Sequence, residues 1–505
     1  MKRLREIKSV AFLLVVSLFL IGCEGQNEAE TDSRTLTVGF EGDVVSMDPH
    51  ASNVGNSIQV LVQVYEPLVR LDLDGNIVGV LAESWERYDD YSYTFYLREG
   101  VRFHNGEEMT AEDVAFSIRR GANSPVVSAF MGVFDPDNIE VIDTYTIRIG
   151  TREPFAPLLN NLTHPGGSIL SLAAYEAGIC FDEEPIGTGP FVVTHRVHGE
   201  RIEFEAFEDF HGDQPAFDYL VIRFIVDLSA RLIELESGAI DIANISRSDA
   251  ARVENNPELT LHQRENQQML YIGMNTERIS DLRVRQAINY AIDVEEIHET
   301  LFYGLGNPIT APLSTIVPGA RTDLEGFPFN PERARELLAE AGYADGLELT
   351  LVVNEFPDRQ EWALAAQSYL AEVGVTVHIT QVETAIFLEE TEVGNYDLFV
   401  LAWTAGTGDA DYGLYPLFHS TSRGGPGNRT FFSHPQVDEL LDIGRTNFDP
   451  EVRSTAYHDV QEMIAEEAPM VFLVSGDTLV GTRSNVQGLD IRLTAIQLFY
   501  TVYFD

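Results

Sequence analysis

Short apolar alternations and apolar runs at helical spacing trade places along the chain. Leu36 to Phe40 reads LTVGF and predicts a first strand, which runs into Glu41, Gly42 and Asp43. Ile58, Leu61, Val62 and Tyr65 recur at helical spacing and predict a helix within 57–69. Tyr93, Phe95 and Leu97 alternate with Thr94, Tyr96 and Arg98, the period of a strand, and Gly100 and Asn105-Gly106 mark turns behind it. Thr110 reads as an N-cap with Asp113 at the third helical position, and Val114 and Ile118 carry that helix to Gly121.

The second half of the chain repeats the alternation. In DLRVRQAINYAID (Asp281 to Asp293), Val284, Ala287, Ile288, Ala291 and Ile292 make one apolar face. Asn330-Pro331 opens a helix and Gly342 closes it. Leu364 to Val373 predicts a helix stopped at Gly374, after which Val375, Val377 and Ile379 alternate as a strand. Asp449-Pro450 caps a helix through Val452, Ala456, Val460 and Ile464. Helix and strand in alternation imply an α/β sheet.

One stretch departs from this regularity. Tyr396 and Leu398 to Leu401 end an apolar strand, and Trp403 follows beside Thr404, Ala405, Gly406 and Thr407. Small residues let a ligand approach the backbone, and tryptophan adds an apolar wall with one polar handle. Asp409 and Asp411 come next, then Tyr412 and Tyr415; an acidic pair behind a strand suits a cation, or simply caps a turn.

Charge changes the picture. The 505 residues carry a net charge of −47, and the only lysines are Lys2 and Lys8. Such an acidic body excludes nucleic acid as a partner and suits a salty or alkaline exterior. Lys2, Arg3, Arg5 and Lys8 precede an apolar run from Val10 to Ile21, too short for a comfortable membrane span. Leu20-Ile21-Gly22-Cys23 resembles the bacterial lipobox, which implies cleavage before Cys23, a diacylglycerol on its thiol, and a polar tether over 23–34. Loss of residues 1–22, with four basic and one acidic residue, takes the net charge from −47 to −50. Cys180 is then the one other cysteine, which excludes a disulfide framework; its apolar neighbours Ile179 and Phe181 predict a buried, inert thiol.

Enzyme signatures fail in turn. There is no Gly-x-Ser-x-Gly elbow, and no lysine follows a glycine as a phosphate loop requires. His298-Glu299 begins a zincin-like string, but Phe302 stands where its second histidine belongs. His195 and His198 fall on a strand and turn, where residues three apart face opposite sides. His419 and His434 sit in a Gly/Pro/Ser-rich loop that predicts solvated rings. No metal and no cofactor are expected.

Several segments, taken in order, carry a family resemblance. Leu81 to Gly121 holds Ala82-x-x-Trp85, the tyrosine-rich strand, Leu97-Arg98-x-Gly100-Val101-x-Phe103-His104-x-Gly106 and Thr110-Ala111-Glu112-Asp113-Val114. Pro185 to Phe191 (PIGTGPF), Met274-Asn275-Thr276, and Leu282 to Asp293 follow, and then the stretch around Trp403. The chain resembles family 5 solute-binding proteins, the extracytoplasmic peptide- and nickel-binding components of ABC importers. The resemblance implies a type II periplasmic-binding-protein fold: an α/β protein of two hinged lobes with a small inserted domain. It places lobe I at 35–50, 183–265 and 480–505, the inserted domain at 51–182 and lobe II at 266–479. It also implies a monomer that hands a peptide-like solute to an ABC permease and its ATPase, held at the membrane by its lipid. Nickel chelates, haem or oligosaccharides are the other ligands of such folds, and a peptide sensor without import the other role.

The resemblance also points to a cleft between the lobes, closed by a hinge. Trp403, Thr404 and Gly406 should face the loop of Phe40, Glu41 and Asp43, with Tyr271 over the ligand. Arg359, Asn428 and Arg429 are candidates for a ligand carboxylate, because guanidinium binds carboxylate in a two-pronged fork. Dipeptide- and oligopeptide-binding members carry an amine-pairing aspartate three residues after the tryptophan; here that position is Gly406. Asp409 or Asp411 is the expected replacement, and Thr-Gly-Asp-Ala-Asp-Tyr looks more like members assigned to glutathione or small peptides.

Overall fold

The structure, a computed structural model, describes residues 34–424 and 427–505. The expected signal segment, Cys23 and all but the last residue of the tether lie outside the described residues. Residues from Thr35 to Asp505 form one compact unit.

A single sheet runs through that unit. Its ten main strands are β1 (Thr35–Phe40), β2 (Phe191–Val197), β3 (Arg201–Ala206), β4 (Tyr219–Phe224) and β5 (Ile242–Asn244), then β6 (Leu259–Met274), β7 (Leu347–Asn354), β8 (Val375–Val382), β9 (Leu398–Thr404) and β10 (Met470–Arg483). They lie in the order β8-β7-β9-β6-β10-β5-β1-β4-β3-β2, with Asn307–Pro308 added on β10. β1 is parallel to both β4 and β5, and β7 is parallel to β8 and β9. Strands parallel on both sides bury both faces, hence the apolar runs read above: Leu36, Val38, Leu351, Leu398 and Val400 are all fully buried.

Two long strands join the halves. β6 and β10 pair antiparallel along their length, but the register breaks between Glu265 and Met269. Before the break, β6 lies with the end of β10 that also pairs with β5; after it, β6 pairs with β9 as well. The sheet therefore passes from one half to the other through residues 266–268.

Beyond the break the pleat sorts side chains by face. Leu270, Ile272 and Met274 enter a core with Val284, Ile288, Ala363 and Leu370, beneath the helices Leu282–Ala291 and Pro357–Glu372. Met269 and Tyr271 enter the opposite core, with Phe399, Leu414 and Val460. Segment 51–182 carries a four-stranded antiparallel sheet, Ala82–Arg87, Ser92–Leu97, Thr146–Thr151 and Phe134–Asp143, crossed by the helix Ala111–Ala122. Thr110 N–H donates to Asp113 Oδ2 at 2.9 Å, closing the expected capping box. Phe95, Ile147 and Val114 share one continuous core with Leu36, Val38 and Ile202 of the first half, so the segment is fused to that half.

Four expectations change. The helix read from Leu364 begins at Pro357, which supplies the first-turn proline; Gly374 stops it at φ +87°. The helix within 57–69 spans Gly55–Val64, and Tyr65 is already extended. Cys180 is exposed rather than buried. His419 is buried rather than solvated, its ring stacked on Tyr415 with centroids 4.2 Å apart. No helix among the described residues is long and apolar enough to cross a membrane.

Candidate functional site

A cleft opens where three parts of the chain meet. Val62, Tyr65 and Glu66 line it from the helix Gly55–Val64 and the turn behind it, Ile496 and Tyr500 from the C-terminal segment, and Gly406 from the loop after β9. Its cavity volume is about 70 Å³. The cleft is thus narrow in this conformation. Its lining is mostly apolar, with a few placed polar groups, the pattern of a small-molecule site.

The charged groups on that lining are Glu66, Arg70 and Arg492. Glu66 Oε2 accepts from Thr188 Oγ1 and is 2.9 Å from His211 Nε2. Arg70 Nη2 donates to the Tyr500 hydroxyl at 3.1 Å. Arg492 Nη1 donates to the Leu71 carbonyl at 2.7 Å, and Nη2 to Asp490. Burial lowers the Arg492 pKa from its ordinary value; Asp490 opposes that shift and Arg70 adds to it. Nothing in the periodicity singled these residues out. The available signal was a pair of charges, Asp490 and Arg492, alternating with Leu489, Ile491 and Leu493 in a strand-like run where charge has no solvated face.

The end of β9 and the loop behind it reach this cleft through Gly406. The Trp403 indole Nε1 donates to the Tyr412 carbonyl at 3.0 Å, and the two rings lie 5.5 Å apart. Trp403 packs against the core of segment 51–182 and against that of the second half, so it sits at their junction. Asn160 Nδ2 donates to the Thr407 carbonyl at 3.1 Å, a second link across the same junction. Thr404 Oγ1 accepts from Gln268 Nε2 at 3.4 Å, beside the break in β6. Gly406 reaches the cleft itself. A Cβ built there would meet its nearest neighbour, His164 Cδ2, at 3.6 Å, an ordinary contact.

The expected amine anchors, Asp409 and Asp411, are engaged with arginines in this structure. Asp411 is 2% exposed and forms a two-pronged ion pair with Arg445, both distances 2.9 Å. Asp409 caps the helix Ala410–Phe418, accepting from Asp411 N–H at 2.8 Å, and pairs with Arg453 Nη2 at 2.7 Å. Burial raises the Asp409 pKa and Arg453 opposes the shift. Both carboxylates thus hold the loop after β9 in place. An acidic turn followed by apolar helix positions looks the same whether its charges face a ligand or an arginine far along the chain.

Two of the carboxylate candidates are likewise bonded within the protein. Asn428 is fully buried, donating to the carbonyls of His419 and Phe432 and accepting from Phe432 N–H and Thr430 Oγ1. Arg429 is 3% exposed, bonded to the Leu388 carbonyl and Thr391 Oγ1 and paired with Glu392. Arg359 lies over the Phe356 ring, 5.0 Å from its centroid, outside the cleft lining. Tyr271 is a core residue, edge-on to Phe399, and burial raises its phenol pKa. On the other side Phe40 is buried against Phe499, Glu41 is exposed, and Asp43 accepts from Gly199 N–H and pairs with Arg196. Of the twelve expected ligand residues, Gly406 alone lines this cleft, with Trp403 and Thr404 in the strand that leads to it.

Comparison with known proteins places this geometry. Residues 76–425 match the family described as bacterial extracellular solute-binding proteins, family 5 Middle. The chain belongs to that family. The chain is similar to the glutathione-binding protein GsiB of Pectobacterium atrosepticum, 32% identical over 90% of this chain and 90% of the relative. Heme-binding protein A of Haemophilus influenzae is 29% identical over 99% of this chain and 100% of its own. Among solved structures, the ABC transporter-associated periplasmic binding protein DppA of Helicobacter pylori, in complex with the peptide STSA, superposes with a TM-score of 0.83 at 27% identity, over 93% of this chain and 98% of that one. Each is a binding protein by its name or title. The chain is accordingly an α/β extracellular solute-binding protein with the periplasmic-binding-protein fold.

Proposed function

We propose that this protein captures a short peptide-like solute outside the membrane and delivers it to an ABC permease and its ATPase, held there by a diacylglycerol on Cys23. The observation that carries the reading is the narrow cleft around Gly406, reached by the loop behind Trp403 and lined by apolar groups with Glu66, Arg70 and Arg492 as its charges. Charges of both signs in an apolar cleft suit a zwitterion with an apolar body, such as a di- or tripeptide or glutathione. The relatives named above for glutathione and a bound peptide support the same class.

The two halves of the sheet act as lobe I and lobe II, with segment 51–182 riding on lobe I. The break at residues 266–268 and the facing part of β10 serve as the hinge. Opening there leaves the pairing on either side intact.

The test is recovery of ligand. The body, residues 34–505, is purified without denaturation, unfolded, and the released compounds identified by mass. A peptide or glutathione is expected, and adding it back raises the melting temperature, because a ligand bound only by the native form stabilises it by RT ln(1 + [L]/Kd), about 2.7 kcal/mol at a hundredfold excess over Kd. A chain that carries haem, a nickel chelate or an oligosaccharide, and ignores di- to tetrapeptides and glutathione, overturns the peptide reading.

A further inference from the structure

We infer that Arg70 and Arg492 together form a carboxylate-binding end of the cleft, so that its solute is held by a free carboxylate rather than by its amine. The inference rests on the cleft being the solute site, and it names the chemistry of that site.

Four observations point the same way. The two arginines are 422 positions apart in sequence yet line the same cleft, with Tyr500 bonded to one of them. Each has a buried Nε without a hydrogen-bond partner among the described residues, although their other nitrogens are engaged. Unpaired buried guanidinium N–H groups are costly, and an oxyanion is what satisfies them most strongly. Third, three arginines gather at this point. Among the described residues Asp490 is the one carboxylate bonded to the pair, and Arg264, bonded to the Leu73 carbonyl, adds a further positive charge acting on Asp490. Two guanidinium groups on one cleft, in a chain of net charge −47 with no lysine beyond Lys8, are not a sampling of the surface. Fourth, the amine end is depleted. Gly406 brings no side chain to the cleft, Asp409 and Asp411 are tied to arginines, and Glu66 already holds Thr188 and His211.

The candidates expected for this task from sequence, Asn428 and Arg429, are locked into the second half. Arg70 and Arg492 lie on the other side of the cleft, on segment 51–182 and the C-terminal segment. The solute carboxylate would thus lie against lobe I, with the solute body running toward Gly406.

The test compares each of a set of di- and tripeptides and glutathione with its C-terminal amide and with its N-acetyl form, by calorimetric titration of the body. Amidation is expected to weaken binding at least tenfold and N-acetylation to change it less than threefold. Arg70→Gln and Arg492→Gln are expected to lose most of the preference for the free acid. The Arg70 variant is the cleaner, since Arg492 also ties Leu71 to Asp490; far-UV dichroism and melting confirm that each is folded. If peptides bind and their amides bind equally well, the carboxylate site is wrong while the peptide reading stands. If no peptide binds, succinate and glutarate are titrated instead. Stabilisation by these acids that Arg70→Gln abolishes supports the site without the peptide, and no response to them overturns both.

Discussion

Arg247 Nη1 donates to Asp358 Oδ2 at 3.2 Å, an ion pair that joins the two halves of the sheet away from the hinge strands. Arg247 follows β5 in the first half; Asp358 lies in the first turn of the helix Pro357–Glu372 in the second. The same guanidinium lies over the Phe302 ring, 5.0 Å from its centroid. Asp358 is well exposed, so the pair is worth no more than about 1 kcal/mol. Because it exists only while the halves are together, its whole value acts on closure. Asp358→Asn is expected to weaken solute binding about two- to fivefold and to enlarge the unliganded body in X-ray scattering. Equal radii and equal affinity would rule out a latch.

Gly406→Asp places a carboxylate on the cleft at the position where the family resemblance led us to expect an amine-pairing aspartate. The backbone there has room for a Cβ, with His164 the nearest neighbour at 3.6 Å. A charge-assisted bond to a ligand ammonium is worth about 1.5–3 kcal/mol, so free-amine peptides are expected to gain about tenfold over their N-acetyl forms. Calorimetry of paired peptides checks this.

Asp411→Asn removes the carboxylate from a buried two-pronged pair and leaves Arg445 uncompensated. Breaking such pairs costs about 3–5 kcal/mol. A large fall in the urea midpoint is expected, with the preference between free and N-acetylated solute unchanged. A change in that preference at normal stability would return Asp411 to the ligand.

Acid should unfold the protein early. Burial lowers the pKa of His50 and His104 to about 4 and of His164 to about 3, from 6.5 for the free ring. With the folded values below the unfolded one, the unfolded chain binds protons first as pH falls. The stability these rings protect is fully present above pH 6.5 and is lost as pH falls toward 4. Between pH 6 and 5 the slope approaches about 4 kcal/mol per pH unit for three rings. Urea midpoints at pH 7, 6 and 5 measure it; a flat series contradicts it.

Cys23→Ser in the full chain is expected to leave an uncleaved precursor without lipid. Incorporation of labelled fatty acid into that variant would refute the anchor.

The regular elements were legible because their signals are local. The Thr110–Asp113 cap, the Asn330-Pro331 start and the alternation of Val375, Val377 and Ile379 each depend on neighbours a few residues away. The site was less legible because its decisive pairings are long-range. Whether Asp411 faces a ligand depends on Arg445, and whether Arg492 faces the cleft depends on Leu71 and Asp490, contacts that no spacing encodes. Cys180 misled for a related reason: apolar neighbours in sequence do not bury a residue that sits on a turn.

That exposed thiol turns the protein into its own instrument. With Cys23 removed by trimming the chain, Cys180 is the single cysteine left in the sequence, and no lysine remains past Lys8 to compete for a reactive dye. A maleimide fluorophore attaches at one place, on the segment that shares its core with the first half of the sheet. Paired with a second label on an introduced cysteine across the cleft, it would report opening and closing in solution, molecule by molecule, and read out the solute without knowing beforehand what it is.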